Sequence, residues 1–178
     1  MFRELGAAIL DADEAAHAVY APGTDGFDAV VKEFGIEYVR DGAIDRQKLG
    51  ELVFHDPDAL QRLNAIVHPR VRDWMAEQTV AAVEGGAEVV IEDVPLLFEN
   101  GLQGLFWATI LVYASPSTQL LRLVEDRGLS PERARAIVAT QMRIDDKRAL
   151  ADFVVENNGS RDETRRQVAE VWTRVRSL

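Results

Sequence analysis

The sequence contains no cysteine, which excludes a disulfide framework, a thiolate nucleophile and any cysteine-bound metal or iron–sulfur cluster. It also lacks an apolar run near the ~20 residues that a membrane-spanning helix requires, and Met1–Glu4 does not open a signal peptide. Internal repeats, low-complexity tracts and linkers rich in Pro, Gly or Ser are missing as well. We therefore expect a protein of the cytoplasm that has no membrane partner.

Basic residues are few, because 20 Lys+Arg stand against 30 Asp+Glu and leave a net charge of −10. Such a charge repels a polyphosphate backbone, which argues against a general nucleic-acid binder. A content of 47% hydrophobic and 28% charged residues excludes fibrous and intrinsically disordered proteins. The length of 178 residues is enough for one ordinary globular domain with a single core.

Short apolar runs alternate with helical segments along the chain. The runs are rich in β-forming residues and unpatterned, as strands covered on both faces should be, and they comprise Ala7–Leu10, Glu88–Val94, Ala108–Ala114 and Phe153–Val155. Helix starts are marked by a capping residue followed by proline at 56–57, 115–116 and 130–131, and by a capping box of Ser160 with Glu163. This alternation predicts an α/β fold with a parallel sheet.

The segment 25–86 differs from the rest because it reads as helical throughout, without a strand. Asp41-Gly42 predicts a turn within it, and Asp45 predicts the cap of a helix that reaches Phe54. Pro57 and Pro69 are each expected to open a helix, the second of which ends at the glycine pair 85–86. We interpret 25–86 as a helical lobe inserted into the α/β domain.

Ligands of open parallel sheets bind at the carboxyl ends of the strands, where Asp11 and Asp13 follow the first run. These carboxylates suit Mg²⁺ binding or removal of a proton from a hydroxyl. Either carboxylate can instead simply cap the following helix. An aspartate-dependent phosphatase is a further alternative, but it requires a second acidic pair after a later strand, whereas the pair 145–146 falls between helices.

Three other segments carry candidate binding groups. Residues 92–100 end a strand with acidic side chains, although Pro95 has a structural role as a strand terminator. His68-Pro69 offers an imidazole and the free backbone N–H groups of a helix start to an anion, with a purely structural histidine as the alternative. The loop 157–160 is a turn and helix cap that can also contact a nucleotide base. No histidine spacing favours a zinc site.

Basic residues, most of them arginines, cluster where strands are expected to end, in a protein that is otherwise acidic. Guanidinium groups match phosphate oxygens in pairs, so the cluster indicates phosphate recognition, with a solvated helix face as the alternative. Its members are Arg122, Arg127, Arg143, Lys147 and Arg148.

Taken together, these segments resemble the dephospho-coenzyme A kinase family in composition and in order along nearly the whole chain. The shared segments are Leu5-Gly6, Asp11-Ala12-Asp13, Pro22-Gly23-Thr24, Phe34-Gly35, Asp41-Gly42, Asp45-Arg46, Val53-Phe54, Leu63–Pro69, Val94–Asn100, Gln119–Arg122, Gln141–Arg148 and Ala151–Ser160.

The resemblance implies a P-loop kinase-like three-layer fold in a single domain over 1–178, with a coenzyme A-binding lobe at 25–86 and a lid around 129–150. It implies transfer of the γ-phosphate of ATP, with Mg²⁺, to the 3′-hydroxyl of dephospho-coenzyme A. The family's functional positions then map onto this sequence as follows: Asp13 as the base for the acceptor hydroxyl; Arg122, Arg143 and Arg148 at the phosphates; His68, Pro95, Leu96 and Phe98 in the substrate pocket; Asn157 and Gly159 near the adenine.

The sequence departs from the family because it contains no Gly-Lys pair, and hence no P-loop, and it lacks the strand that precedes that loop. That strand is central in the sheet, so we expect two unpaired strand edges and a tendency to self-associate. As written, the chain is expected to bind ATP poorly. Either Met1 is an internal methionine of a longer kinase, or the short form is real and inactive. A non-catalytic module that binds coenzyme A or dephospho-coenzyme A is the alternative function.

Overall fold

A computed structural model describes all residues from Met1 to Leu178 and divides the chain into two compact units. Unit 1 comprises Met1–Ala7 with Pro95–Leu178, and unit 2 comprises Ala8–Val94. None of the helices is both long and apolar enough to cross a membrane.

Unit 2 contains a parallel strand pair and four helices. Strand β1 pairs with β4 in a register that sets Asp11 opposite Asp93. Because a parallel pair needs a long crossover, helices fill the chain between its two strands. The elements are β1 (Ala8–Asp11), α1 (Ala12–Val19), α2 (Asp25–Phe34), β2 (Val39–Arg40), β3 (Ala43–Ile44), α3 (Arg46–His55), α4 (Pro57–Glu84) and β4 (Val90–Asp93).

The prediction that 25–86 holds no strand is wrong, because β2 and β3 form a short antiparallel hairpin. Its two turn residues, Asp41 and Gly42, have φ angles of 51° and 79°. Positive φ at both central residues is typical of the tight Asp-Gly hairpin turn, so the predicted turn is confirmed. Strands of two residues are too short to produce a recognisable alternation, which is why the sequence pattern missed them.

A second correction concerns Pro69, which does not open a helix. Helix α4 runs without interruption from Pro57 to Glu84, with Pro69 inside it. Proline in a helix interior loses one backbone hydrogen bond and usually breaks the helix. Here Val67 and Met75 are buried on either side of Pro69, and α4 packs against α1, α2 and α3. This packing stabilises the helix through the proline.

Unit 1 is built on the parallel pair β5 and β6. Its elements are β5 (Ile110–Tyr113), α5 (Pro116–Glu125), α6 (Pro131–Ala139), α7 (Ile144–Leu150), β6 (Phe153–Glu156) and α8 (Arg161–Val175). One face of the pair packs against α8 through Phe153, Val155, Val168 and Val171. At the start of both strands, the Asp152 carboxylate accepts hydrogen bonds from the backbone N–H and hydroxyl of Thr109, each at 2.8 Å. These bonds lower the pKa of Asp152.

Each predicted helix cap is confirmed. Side-chain oxygens of Asp45, Asp56, Ser115, Ser130 and Ser160 accept backbone N–H groups at the starts of α3, α4, α5, α6 and α8. The four predicted strands are present with shifted ends, and α4 ends at Glu84 before the glycine pair. The parallel α/β architecture is therefore as the sequence predicts, and β4 pairs only with β1 while β5 pairs only with β6.

Candidate functional site

Carboxylates gather in unit 2 at the carboxyl ends of β1 and β4. Asp11 caps α1 by accepting the backbone N–H groups of Asp13 and Glu14, at 2.8 and 3.4 Å. The structural interpretation of Asp11 is therefore confirmed. Asp13 lies in the first turn of α1, is exposed, and has no hydrogen bond or ion pair through its carboxylate. The carboxylate of Asp13, like that of Glu14 beside it, is therefore available to an incoming hydroxyl.

The electrostatics of this end of unit 2 are strongly negative. Partial desolvation of Asp93 raises its pKa, and the negative charges of Asp11 and Asp13 raise it further. The register sets Asp93 directly across the strand pair from Asp11. Like charges at this spacing favour the binding of a proton or a cation.

No group of three or more His, Asp or Glu side chains is arranged to hold a metal ion. The Asp11 carboxylate is already committed to the start of α1 through the backbone bonds of its Oδ1. Of the two carboxylates predicted to suit Mg²⁺, Asp13 is therefore the one left free, and one carboxylate together with substrate phosphates and water is a common environment of this ion.

His68 lies on an exposed part of α4, directly before Pro69. Since the helix is continuous there, the predicted set of free backbone N–H groups at residue 69 does not exist. The imidazole remains open to solvent. Any anion bound at this position would have to be recognised by the side chain rather than by a helix terminus.

The segment 95–101 in unit 1 carries three of the predicted substrate-binding residues in different environments. Pro95 is exposed, and Leu96 presents 44% of its surface to solvent. Phe98 is buried and packs with Leu111 and Tyr113. Leu96 therefore offers an open apolar surface, whereas Phe98 anchors the segment to the core of unit 1.

Arg122 is held against the loop that follows β6. It projects from α5, and its Nη2 donates a hydrogen bond of 2.6 Å to the backbone carbonyl oxygen of Asn157. The hydroxyl of Thr164 on α8 donates to the side-chain oxygen of Asn157 at 3.3 Å. The structure therefore brings Arg122 and Asn157, two of the predicted site residues, into direct contact.

The loop 157–159 is further held by groups whose roles the sequence did not reveal. The side-chain oxygen of Asn158 accepts the backbone N–H of Ser115 at 2.7 Å, which connects the loop to the start of α5. A Cβ atom on Gly159 would lie 2.3 Å from the Glu163 carboxylate, which is occupied in the capping box of α8. A side chain at position 159 would therefore displace the Glu163 carboxylate from the capping box, and the Asn-Asn-Gly-Ser pattern is the sequence signal for this turn.

The arginines near α7 fall into two classes. Arg148 forms an ion pair of 2.7 Å with Glu156, and its guanidinium lies 4.8 Å from the centre of the Tyr113 ring. The Tyr113 hydroxyl in turn donates to Asp145, which raises the pKa of the tyrosine. Arg143 precedes α7, and its exposed guanidinium has no ion pair or hydrogen bond. Of Arg143 and Arg148, Arg143 is therefore the one whose guanidinium has no partner.

Sequence reasoning missed an ion pair between Lys147 and Glu99, whose Nζ and Oε1 atoms are 2.7 Å apart. Their side chains are 7% and 18% exposed. Desolvation of Glu99 alone would raise its pKa, but hydrogen bonds from Lys147 and backbone N–H groups outweigh it and lower the pKa. The sequence offered only a weak signal for this pair, because Lys147 stood among the predicted phosphate-binding residues and Glu99 lay in the loop after β4.

The comparisons with known proteins agree across the chain. A family model described as dephospho-CoA kinase matches residues 1–163. The dephospho-CoA kinase of Streptomyces avermitilis is 48% identical over 171 residues, which are 95% of this chain and 82% of that protein. The dephospho-CoA kinase of Geobacillus kaustophilus is 44% identical over 172 residues, with 96% of this chain and 86% of that protein covered.

Two solved structures are similar to the fold. The crystal structure of TT1252 from Thermus thermophilus superposes with a TM-score of 0.81 at 33% identity, covering 98% of this chain and 87% of that one. A dephospho-CoA kinase from Campylobacter jejuni superposes with a TM-score of 0.71 at 26% identity, covering 98% and 88%.

Proposed function

The chain belongs to the dephospho-CoA kinase family, with its P-loop kinase-like fold, and we propose on this basis that it transfers the γ-phosphate of ATP to the 3′-hydroxyl of dephospho-coenzyme A. The observation that carries the assignment at residue level is the free carboxylate of Asp13 directly after β1. As part of the same proposal, the enzyme acts in the cytoplasm on these two small-molecule substrates.

Asp13 has the properties required of the acceptor-side base. Its carboxylate accepts a hydrogen bond from the ribose hydroxyl and orients the oxygen toward the γ-phosphorus. It takes the proton as the new P–O bond forms, while the bond from the γ-phosphorus to the β,γ-bridging oxygen breaks and ADP leaves. The nearby Asp11 has its carboxylate bound to backbone N–H groups, so it does not compete for the hydroxyl. This division of roles follows from the N-cap geometry of α1.

The helical lobe 25–86 and the segment after β4 supply the substrate contacts in this proposal. The exposed imidazole of His68 donates a hydrogen bond to an anionic phosphate of the substrate. Pro95 and Leu96 provide open apolar surface for the pantetheine arm. Phe98, buried in the core, contributes by fixing the place of this segment.

On the donor side, Arg122, Arg143 and Arg148 stabilise the negative charge of the transferring phosphoryl group. Guanidinium forks form paired hydrogen bonds with phosphate oxygens, and such contacts strengthen as charge develops in the transition state. The loop holding Asn157 and Gly159 contacts the adenine of ATP. The segment 129–150, which contains α6 and α7, acts as the lid that brings Arg143 to the phosphates.

ATP is the phosphoryl donor, and the family acts with Mg²⁺. When bound, Mg²⁺ would neutralise charge on the phosphates, while the steps assigned above are those of the chain's own carboxylate and guanidinium groups.

The test is steady-state turnover of the complete gene product with ATP and dephospho-coenzyme A. We expect ADP formation that saturates with both substrates and ceases with the 3′-deoxy analogue of dephospho-coenzyme A, which lacks the acceptor oxygen. Binding of dephospho-coenzyme A without turnover would instead indicate a non-catalytic module. Release of phosphate without an acceptor would indicate a phosphatase.

A further inference from the structure

Glu99 and Lys147 form the one ion pair in which both side chains are largely shielded from solvent. Lysine is rarely buried, because removing its charge from water costs free energy that a single ion pair only partly offsets. A buried ion pair is therefore a weak source of stability. What it supplies reliably is a fixed arrangement of the segments that it joins.

The Glu99 carboxylate binds the chain on both sides of Arg143. Its Oε1 atom accepts the backbone N–H of Met142 at 3.0 Å as well as the Lys147 ammonium at 2.7 Å. Lys147 lies one helical turn beyond Arg143, and its backbone N–H donates to the Arg143 carbonyl oxygen at 3.1 Å. The residue before Arg143 and the residue one turn after it are thus held by the same oxygen atom.

The second oxygen of Glu99, Oε2, is buried and has no hydrogen-bond partner. The contacts of this carboxylate with other residues, the Met142 N–H and the Lys147 ammonium, are both made at the start of α7 through Oε1.

Apolar packing supports the same attachment. Phe98, the residue before Glu99, packs in one cluster with Met142 and Ile144, which flank Arg143. The segment 95–101 is therefore attached to the start of α7 by an apolar contact and an ionic contact at adjacent residues.

Arg143 combines a fixed backbone with a free side chain. It is the N-cap residue of α7, makes no side-chain cap, and has an exposed guanidinium without a partner. Arg148, in contrast, is already held by Glu156 and by the Tyr113 ring. Fixing the backbone of a long flexible side chain reduces the entropy lost when that side chain binds a phosphate.

We propose that Glu99 and Lys147 are positioning residues that place Arg143 for contact with the transferring phosphoryl group. They do so without touching either substrate, through Met142 and the first turn of α7. This inference rests on the proposed kinase function and adds to it Glu99 and Lys147, the second of which the sequence had suggested as a phosphate-binding residue.

The test removes the pair without leaving a buried charge. A single substitution would leave the other charge buried without a partner, which destabilises the fold. The variant therefore carries both Glu99→Gln and Lys147→Met, and each new side chain is close in volume to the one that it replaces. The matched control replaces an exposed pair outside the lid, Asp162→Asn with Arg165→Met on α8, whose charged atoms are 3.0 Å apart. Each form is combined with Arg143→Ala, and kcat and KM are measured for the complete gene product.

Coupling between the pair and Arg143 is the decisive result. We expect Arg143→Ala to lower kcat about 100-fold in the otherwise unchanged enzyme but about tenfold or less when the pair is absent. The double variant alone should lower kcat about tenfold, with the KM for dephospho-coenzyme A changed by less than about twofold. In the α8 control the full effect of Arg143→Ala should remain.

Multiplicative effects of the two changes would overturn the inference, because a purely structural pair would act independently of Arg143. Hydrogen exchange supplies a readout that does not depend on turnover. The amide of Met142 should exchange faster in the double variant than in the α8 control, and equal protection in both would also overturn the inference. An unchanged enzyme that fails to phosphorylate dephospho-coenzyme A would contradict the proposed function instead.

Discussion

Arg122 donates a 2.6 Å hydrogen bond to the carbonyl oxygen of Asn157, so a guanidinium on α5 holds the loop that follows β6. The same loop is held from a second direction, because Asn158 accepts the backbone N–H of Ser115 at the start of α5. The predicted phosphate-binding and adenine-binding residues are therefore parts of one hydrogen-bonded assembly. A change in either one should alter the other.

Replacement of Arg122 by lysine tests this assembly. Lysine keeps the charge but presents a single ammonium, which cannot both hold the Asn157 carbonyl and form a fork with phosphate. We expect Arg122→Lys to lower kcat/KM for ATP by at least about tenfold. The control is Arg127→Lys, an exposed arginine just beyond α5, which should behave as the unchanged enzyme. Steady-state kinetics with ATP as the varied substrate would contradict the assignment if both variants were equally active.

Asp13 is predicted to carry the acceptor-side chemistry. Asp13→Asn keeps the size of the side chain but cannot accept a proton, so kcat should fall by at least ~10²-fold with ATP binding nearly unchanged. Glu14→Gln, at the next exposed position of α1, is the matched control. Turnover assays measure the loss of kcat, and ATP titrations show whether ATP binding is unchanged. A loss below about fivefold in the Asp13 variant would leave it only a surface residue of α1.

His68 is predicted to contribute to substrate binding without contributing to folding. Because its side chain is exposed on α4, His68→Ala should leave the thermal midpoint unchanged while weakening the binding of dephospho-coenzyme A about tenfold. His55, an exposed histidine at the end of α3, provides the matched control His55→Ala. Calorimetric titration is the measurement, and equal affinities in the two variants would exclude His68 from the binding site.

The raised pKa of Asp93 predicts how stability changes with pH. A carboxyl group that binds its proton more tightly when folded destabilises the folded state once it is ionised. Asp93→Asn should therefore raise the free energy of unfolding at pH 7, and this gain should shrink as the pH falls toward the ordinary carboxyl value of about 4. Exposed Glu77→Gln, on α4, should show no such gain.

Urea unfolding of the two variants and the unchanged protein between pH 4 and pH 8 measures this difference. An Asp93 variant less stable than the unchanged protein at pH 7 would show that its carboxylate is stabilising. The carboxylates of Asp11, Asp13 and Asp93 would then have a favourable partner for their negative charge at neutral pH.

Local features of the fold were predictable because they depend on neighbouring residues. The caps at Asp45, Ser115 and Ser160 are contacts between a side chain and backbone groups two or three residues away, and sequence order alone specifies them. The strands were recognisable from their composition. Position at strand ends and helix starts indicated Asp13, His68 and the arginines as candidates, and the family resemblance then supplied their roles.

Features that depend on distant residues were not predictable. The uninterrupted passage of α4 through Pro69 follows from packing against three other helices, which outweighs the local preference of proline. The Lys147–Glu99 pair joins two segments that are far apart in sequence. The sequence showed both residues, but only the fold shows that they are partners.

The central claim is the identity of the acceptor, and the most direct measurement is mass spectrometry of the reaction product. The complete gene product is incubated with dephospho-coenzyme A and ATP that carries ¹⁸O in its γ-phosphate, and the product is fragmented to locate the label. The account predicts labelled phosphate on the ribose 3′-oxygen, in an amount equal to the ADP formed. Labelled inorganic phosphate alone, or label at any other position of the acceptor, would contradict it.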